Sequence, residues 1–375
     1  MANMLSFLGS YGQYSLIEKP FTQVDALICS QLSYIVYDKA AGRLPARLNS
    51  LLGQVEYGVI ERDNRRLFEL CACLPRYKNA LVYRYVNEFD PSISKQFAAV
   101  TFLLEDGTAF ASFRGTDSTL VGWKEDFMLT FTTPVPAQER AARYLNEIAQ
   151  MLSCPLRVGG HSKGGNLAVY AAAFCEPQVR SRITEVYTCD GPGFEKSTLQ
   201  SEQYRSLLPR VRRFLPESSV VGLLMEQDSD YLVIDSTALG VYQHNPYTWK
   251  TEGDHFLTKD KLNFSGEMLG EAQRAWFNSL SPDQLRDFAD TLFDVLTASN
   301  PRTLRDIHSS VGSLIATLSA ITNMPQDDQT RMKAYLKHLL SSLYTGSEIT
   351  IKRRMDALTD KLQDLARRIS GQNGA

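Results

Sequence analysis

The spacing of apolar positions changes period several times along the chain, and each change marks a candidate element. "FTQVDALICSQLSYIVYD" (21–38) carries apolar residues at helical spacing behind Thr22, predicting a first helix of about four turns before a polar, arginine-bearing stretch that runs to about residue 70. "QFAAVTFLLEDGTAFASFRGTDS" (96–118) holds two apolar, β-rich runs on either side of Asp106-Gly107, a strong hairpin signal, so two antiparallel strands are expected. "AQERAARYLNEIAQML" (137–152) returns to helical period, and Pro155 breaks it before a short strand "LRVGG". An alanine-rich helix follows to about Cys175. "ITEVYTCDGPGF" (183–194) reads as a buried strand ending in a Gly-Pro loop, and the apolar run "SSVVGLLM" (218–225) precedes a further strand, "DYLVIDS" (230–236).

Strands and helices thus alternate from about residue 96 to 240, which predicts an α/β fold, a mixed, mostly parallel sheet flanked by helices. Strand signals stop after about residue 265. "EAQRAWFNSLSPDQLRDFADTLFDVLTAS", "TLRDIHSSVGSLIATLSAIT" and "QTRMKAYLKHLLSSLY" all have helical period, so a domain over 1–265 and a helical C-terminal region over 266–375 are expected. The terminal arginines are interleaved with Asp356, Asp360 and Asp364 and read as a solvated amphipathic helix.

With 375 residues, 43% of them hydrophobic, the chain can bury a large core. Its 40 basic and 42 acidic residues nearly cancel, which argues against nucleic acid or an anionic membrane surface as partner. The start lacks a basic segment followed by a long apolar stretch, and no later segment has the roughly 18 uninterrupted apolar residues of a bilayer span. The expectation is a cytoplasmic protein with no integral membrane segment. Cys29, Cys71, Cys73, Cys154, Cys175 and Cys189 lack paired spacing and read as reduced, structural thiols. There is no phosphate-cradling glycine loop and no ligand cluster at metal spacing, so neither cofactor nor metal is expected.

Candidate chemistry concentrates at Gly160-His161-Ser162-Lys163-Gly164, a G-x-S-x-G pattern at the corner where a strand becomes a helix. Small neighbours allow the strained turn that exposes a nucleophilic hydroxyl, and the helix start aims N–H groups at the reacting centre. The Lys163 N–H is the natural first oxyanion donor. Its side chain is expected in solvent or in packing, with no catalytic part for the ammonium. "FRGTDS" ends a strand with small hydroxyl residues, either a donor loop or a simple capped turn. Of the five histidines, His161 leaves the elbow in the wrong direction and is assigned packing or a supporting bond. His308 and His338 lie on predicted C-terminal helices, which leaves His244 and His255 as candidate bases. Asp190 ends the strand after the elbow helix, where a carboxylate can orient an imidazole or simply form the turn before Gly191-Pro192. Asp228, Asp230 and Asp235 are further carboxylates in reach of that end of the sheet.

"GHSKGGNLAVYAA" and "ASFRGTDSTLVGWKEDF" resemble the nucleophile elbow and oxyanion strand of fungal-type (class 3) lipases of the α/β-hydrolase superfamily. Together with "YTCDGPGF" and "GVYQHNPYTW", they resemble more closely an uncharacterised bacterial family of lipase-like hydrolases with a helical C-terminal portion. The resemblance runs from the first helix to beyond residue 290. It implies an α/β-hydrolase-type sheet and a serine hydrolase that cleaves a small-molecule or lipid ester through an acyl-enzyme. It makes Thr116 the second oxyanion donor and His244 the base; the fungal analogy, whose base comes later, implies His255 instead. Fungal-type lipases carry their acid in a segment resembling "LPESSVVG", where this chain has Ser219 with Glu217 beside it. Pancreatic-type lipases carry it in a segment similar to "CDGPGF", which implies Asp190. Two other functions fit the same residues: a hydrolase fold kept as a binding or scaffold module, its C-terminal helices recruiting a protein partner, and an acyltransferase or thioesterase using Ser162. Trp123, Phe127 and Phe131 read as a mobile cover over an acyl pocket or as a helix packed on the sheet, with Asp126 holding that segment.

Overall fold

A computed structural model describes residues 2–264, apart from Ser118 and Gln227, and residues 280–297. Nine strands form one sheet: β1 (Ala46–Arg47), β2 (Leu81–Asp90), β3 (Lys95–Leu103), β4 (Ala109–Phe113), β5 (Leu156–His161), β6 (Ile183–Cys189), β7 (Val211–Pro216), β8 (Leu232–Ile234) and, after the small hairpin of β9 (Thr251–Glu252) and β10 (His255–Phe256), β11 (Thr258–Lys259). Strands β4 to β8 run parallel, and the outer pairings are antiparallel. The expected hairpin around Asp106-Gly107 is β3–β4, with Gly107 at φ 78° and Asp106 accepting from the Thr108 N–H.

Alternation along the central strands sends side chains to two cores. Helices α1 (Met4–Tyr11), α2 (Gln23–Leu32) and α3 (Glu61–Cys73) cover the face of Phe110, Tyr187 and Phe214. Helices α5 (Pro136–Met151) and α6 (Lys163–Phe174) cover the face of Phe113, Val158 and Val186. This is an α/β-hydrolase-type arrangement, a parallel centre buried on both sides and a strand-to-helix corner between β5 and α6.

Several elements depart from the pattern-based reading. The first helix, α2, starts at a Thr22–Asp25 capping box but ends after 10 residues. The apolar run outlasts the helix because Tyr34, Ile35 and Tyr37 are buried in the turn that follows. The polar stretch before residue 70 contains most of α3, whose Leu67, Phe68 and Cys71 face the core while charged residues face water. Strand β2 is half-exposed along most of its length, and β7 carries Arg212 and Arg213, so neither shows a clean apolar run. Residues 218–225, read only as an apolar run, form a loop for reasons that lie in the site.

Of the C-terminal region residues 280–297 are described; Pro282–Thr297 is helical and packs on α4 (Leu120–Met128). Leu285 and Ala289 meet Phe131, and Lys124 pairs with Asp290 at 2.8 Å. His308, His338 and the later predicted helices lie outside the described residues. Among the described residues, no helix is long and apolar enough to cross a membrane.

Candidate active site

The corner between β5 and α6 places Ser162 at φ 59°, ψ −135°, a strained conformation for a residue with a side chain. Two bonds hold it there: its N–H donates to the Cys189 carbonyl at 2.9 Å, and its carbonyl accepts from the Gly165 N–H at 2.9 Å. The turn is this tight because strand and helix touch backbone to backbone. A Cβ on Gly160 would lie 2.7 Å from the Phe113 carbonyl oxygen, besides striking the Gly164 main chain. The Ser162 hydroxyl makes no capping bond and the residue is partly exposed, while the first N–H groups of α6 lack intrahelical acceptors by construction.

One step across the sheet, Asp190 follows β6 at φ 51°. Its side chain is 1% exposed, yet Oδ2 lies 2.6 Å from His244 Nδ1. Oδ1 accepts from the Ser219 hydroxyl at 2.5 Å and from the Gly222 N–H at 3.1 Å. Burial would push this carboxyl up, but the bonds from His244 and Ser219 outweigh it and hold Asp190 below the usual aspartate range. The loop 218–225 thus exists to hold the carboxylate. Ser219, near the position where the fungal pattern has its acid, donates to Asp190 instead.

His244 closes a short 3-10 segment, Gly240–His244, with its side chain 28% exposed. His255 sits on the β9–β10 hairpin, its side chain 56% exposed and facing Asp254 and Glu252. The structure brings His244 and Asp190 together and leaves His255 apart from them. The other carboxylates are engaged elsewhere: Asp235 pairs with Lys250 at 2.8 Å, Asp228 bonds Tyr204, and Asp230 lies exposed. Glu217 is 3.4 Å from Gln243 Nε2.

Thr116 lies beyond β4, in the loop whose Gly115 packs on the elbow; a Cβ there would sit 3.1 Å from Ser162 Cβ. The Thr116 hydroxyl donates to Asp126 Oδ2. Burial, the largest influence, pushes Asp126 up to about 6, against the pull of Lys163 and Thr116.

Lys163 requires a correction. Its side chain is neither in solvent nor in plain packing: at 1% exposure, Nζ donates to Glu125 Oε2 at 2.9 Å, to the Gln96 carbonyl at 3.0 Å and to Gln96 Oε1 at 2.9 Å. The cause is α4, which presents Glu125, itself 0% exposed, to the ammonium. Trp123 projects from the same helix with 39% exposure, whereas Phe131 is buried against the Pro282–Thr297 helix.

Residues 71–294, more than half of the chain, match the family described as Mbeg1-like. The chain belongs to the Mbeg1-like family. No curated protein matches it. Among solved structures this Mbeg1-like chain is similar to M37 lipase, at 14% identity over 55% of this chain and 70% of that one, with a TM-score of 0.38. It is also similar to the Rhizomucor miehei lipase propeptide complex, at 17% identity over 70% of this chain and 78% of that one, with a TM-score of 0.37. For the lipase of Rhizopus microsporus var. chinensis the identity is 14% over 67% of this chain and 88% of that one, with a TM-score of 0.35. Likenesses of this size carry no argument about chemistry, which has to come from the residues themselves.

The parts that Ser219, Gly222 and Arg213 play around Asp190 escaped the reading of the sequence. Ser219 and Gly222 sit in an apolar run that gives no sign of gripping a carboxylate. Arg213, buried on β7, donates through Nη2 to the carbonyls of Gly191 and Gly222 at 3.0 and 3.3 Å, tying together the two loops around Asp190. Its signal was an arginine between the apolar residues of "VRRFL", at a position where a strand side chain turns inward.

Proposed function

We propose that the protein is a serine ester hydrolase of the lipase or carboxylesterase type, acting through an acyl-enzyme on a small-molecule or lipid ester. The observation that carries this reading is the 2.6 Å contact of His244 Nδ1 with the buried Asp190 carboxylate, beside a strained serine whose hydroxyl is not spent on capping. With Nδ1–H donated to Asp190, His244 Nε2 bears the lone pair and takes the Ser162 proton as Oγ attacks the ester carbonyl. The Lys163 and Thr116 N–H groups receive the oxyanion, aided by the positive end of α6. The imidazolium returns its proton to the leaving alkoxide. Water, deprotonated by the same imidazole, then attacks the acyl-enzyme, and Ser162 recovers its proton as the carboxylic acid departs. All six cysteines are free and four are buried, which supports a cytoplasmic setting for this chemistry.

Labelling by a fluorophosphonate tests the reading, with wild type beside Ser162→Ala and His244→Ala, followed by turnover of short- and long-chain aryl esters. The expected result is labelling that vanishes with Ser162→Ala and falls strongly with His244→Ala. A folded wild type that neither labels nor turns over esters, with detergent present or absent, overturns it.

A further inference from the structure

We propose that Tyr34 and His161 are positioning residues that lock the three loops of the site into one register; the proposal rests on the hydrolytic reading of Ser162. Both side chains are buried, and neither is needed for any proton transfer in the mechanism above. Their side-chain hydrogen bonds fall on the proposed base and on immediate neighbours of the other reacting groups. The His161 ring meets the His244 carbonyl through Nε2 at 2.8 Å and the Tyr34 hydroxyl through Nδ1 at 3.2 Å. The same hydroxyl lies 3.3 Å from the His161 carbonyl and bonds the main chain of Gly115. Gly115 precedes Thr116, His161 precedes Ser162, and His244 is the base. One phenol and one imidazole therefore join the oxyanion loop, the nucleophile elbow and the base loop, although the elements come from positions 34, 115, 161 and 244.

The proton positions follow from the partners. A carbonyl oxygen only accepts, so His161 carries its proton on Nε2 and directs it at the His244 carbonyl. Nδ1 is then a lone pair, and the Tyr34 hydroxyl donates to it. Burial above all, with His244 adding to it, pushes the His161 imidazole down to about 3, so it stays neutral in this tautomer across the working range. Burial also raises the Tyr34 phenol above its ordinary value, so its proton stays in place. The network is thus a fixed brace with no titrating member. A second anchor, the Trp249 indole N–H on the Gln243 carbonyl at 2.8 Å, steadies the residue before His244, and the Trp249 ring lies edge-on to the His161 ring with centroids 6.4 Å apart. Removing the hub leaves His244 held to Asp190 and Ser162 to the Cys189 carbonyl but loosens the direct ties among the three loops, and a reacting pair misplaced by about 1 Å loses roughly a hundredfold in rate.

The test uses the full chain with Tyr34→Phe, His161→Phe and His161→Gln. The glutamine amide can donate near the place of Nε2, whereas phenylalanine cannot. Expected are a fall of roughly 10- to 100-fold in the fluorophosphonate acylation rate for both phenylalanine variants with KM for an aryl ester little changed, and recovery of most of that loss in His161→Gln. The downfield NMR resonance of the His244 Nδ1 proton bonded to Asp190 should move or broaden in His161→Phe and return in His161→Gln. If wild type is not acylated at all, the hydrolytic reading fails, and the resonance alone then decides whether His161 positions His244. Acylation within twofold of wild type in folded Tyr34→Phe and His161→Phe, together with an unmoved resonance, would overturn the proposal. Should His161→Phe fail to fold, the smaller change in Tyr34→Phe decides by the same two readouts.

Discussion

The buried Lys163–Glu125 pair is the sharpest quantitative commitment of the structure, because both partners are out of water and sit at the start of the elbow helix. At 2.9 Å and an effective dielectric near 20, their gross attraction is about 6 kcal/mol. Desolvation offsets much of that, so the pair contributes little net stability over an apolar alternative. Breaking it from one side is another matter. Lys163→Met leaves the Glu125 carboxylate buried with only the N–H groups of Gln96 and Ala137 as donors, and Glu125→Gln leaves the ammonium with the two oxygens of Gln96 and the more distant Asp126. Each single variant should lose about 3–5 kcal/mol in urea unfolding of the full chain, whereas the double variant should lose clearly less than the sum, with a coupling of about 1–3 kcal/mol. Glutamine suits the second position because it can still accept one of the two N–H bonds, which a leucine would orphan. Lys163→Met keeps the main-chain N–H proposed as an oxyanion donor, so its acylation rate reports only how far α4 and α6 have moved. Single losses below about 1 kcal/mol that simply add would show a pair solvated like one at the surface, and the argument from burial would be wrong.

Three further outcomes follow from the same geometry. Asp190→Asn keeps an oxygen for Ser219 and Gly222 but removes the charge facing His244, so acylation should fall by roughly 10³–10⁴-fold in a folded protein; a loss under tenfold would deny Asp190 its part. Asp126 is raised by burial from 3.8 to about 6, so the fold holds that proton more tightly than the unfolded chain does; its contribution to stability is full below about pH 4 and is lost as pH rises through 6. Asp126→Asn should flatten that part of the stability profile measured by urea unfolding between pH 4 and 7, and an unchanged profile would contradict the assignment. Gly160→Ala puts a methyl 2.7 Å from the Phe113 carbonyl oxygen, where only backbone can yield; little folded protein should be recovered by size-exclusion chromatography, and a normal yield would refute so close an approach.

The parts of the fold that the sequence announces are those in which local chemistry and burial agree. Asp106-Gly107 forms the β3–β4 hairpin, Pro155 separates α5 from β5, and the glycines around Ser162 make the elbow. Elements escape where burial is partial or inverted. Strand β2 is long but half-exposed, so its apolar residues do not alternate, and β7 turns an arginine inward because two carbonyls wait for it there. The apolar run 218–225 carries no sign of its role: Val220 and Leu223 are buried, while the chain around them curls so that Ser219 and Gly222 reach Asp190.

The same asymmetry governs the site. A nucleophile elbow is a local object, encoded by residues within two positions of Ser162, and is therefore legible from a short stretch. What orients the proposed acid and base is not local: the bonds to Asp190 come from positions 219, 222 and 244, and the His244 carbonyl is held from position 161. Each is a single polar group whose partner lies 29 to 83 residues away along the chain, with no periodicity to betray the pairing. Lys163 shows both halves in one residue. Its main chain belongs to the elbow and could be assigned from the pattern, whereas its ammonium is committed 38 residues upstream to Glu125 on a helix that only the packed fold brings across. Polar side chains of this kind sit inside because burial leaves them no other partner, and the cost of stranding one of them is what makes the relative placement of Ser162, Asp190 and His244 a property of the whole domain.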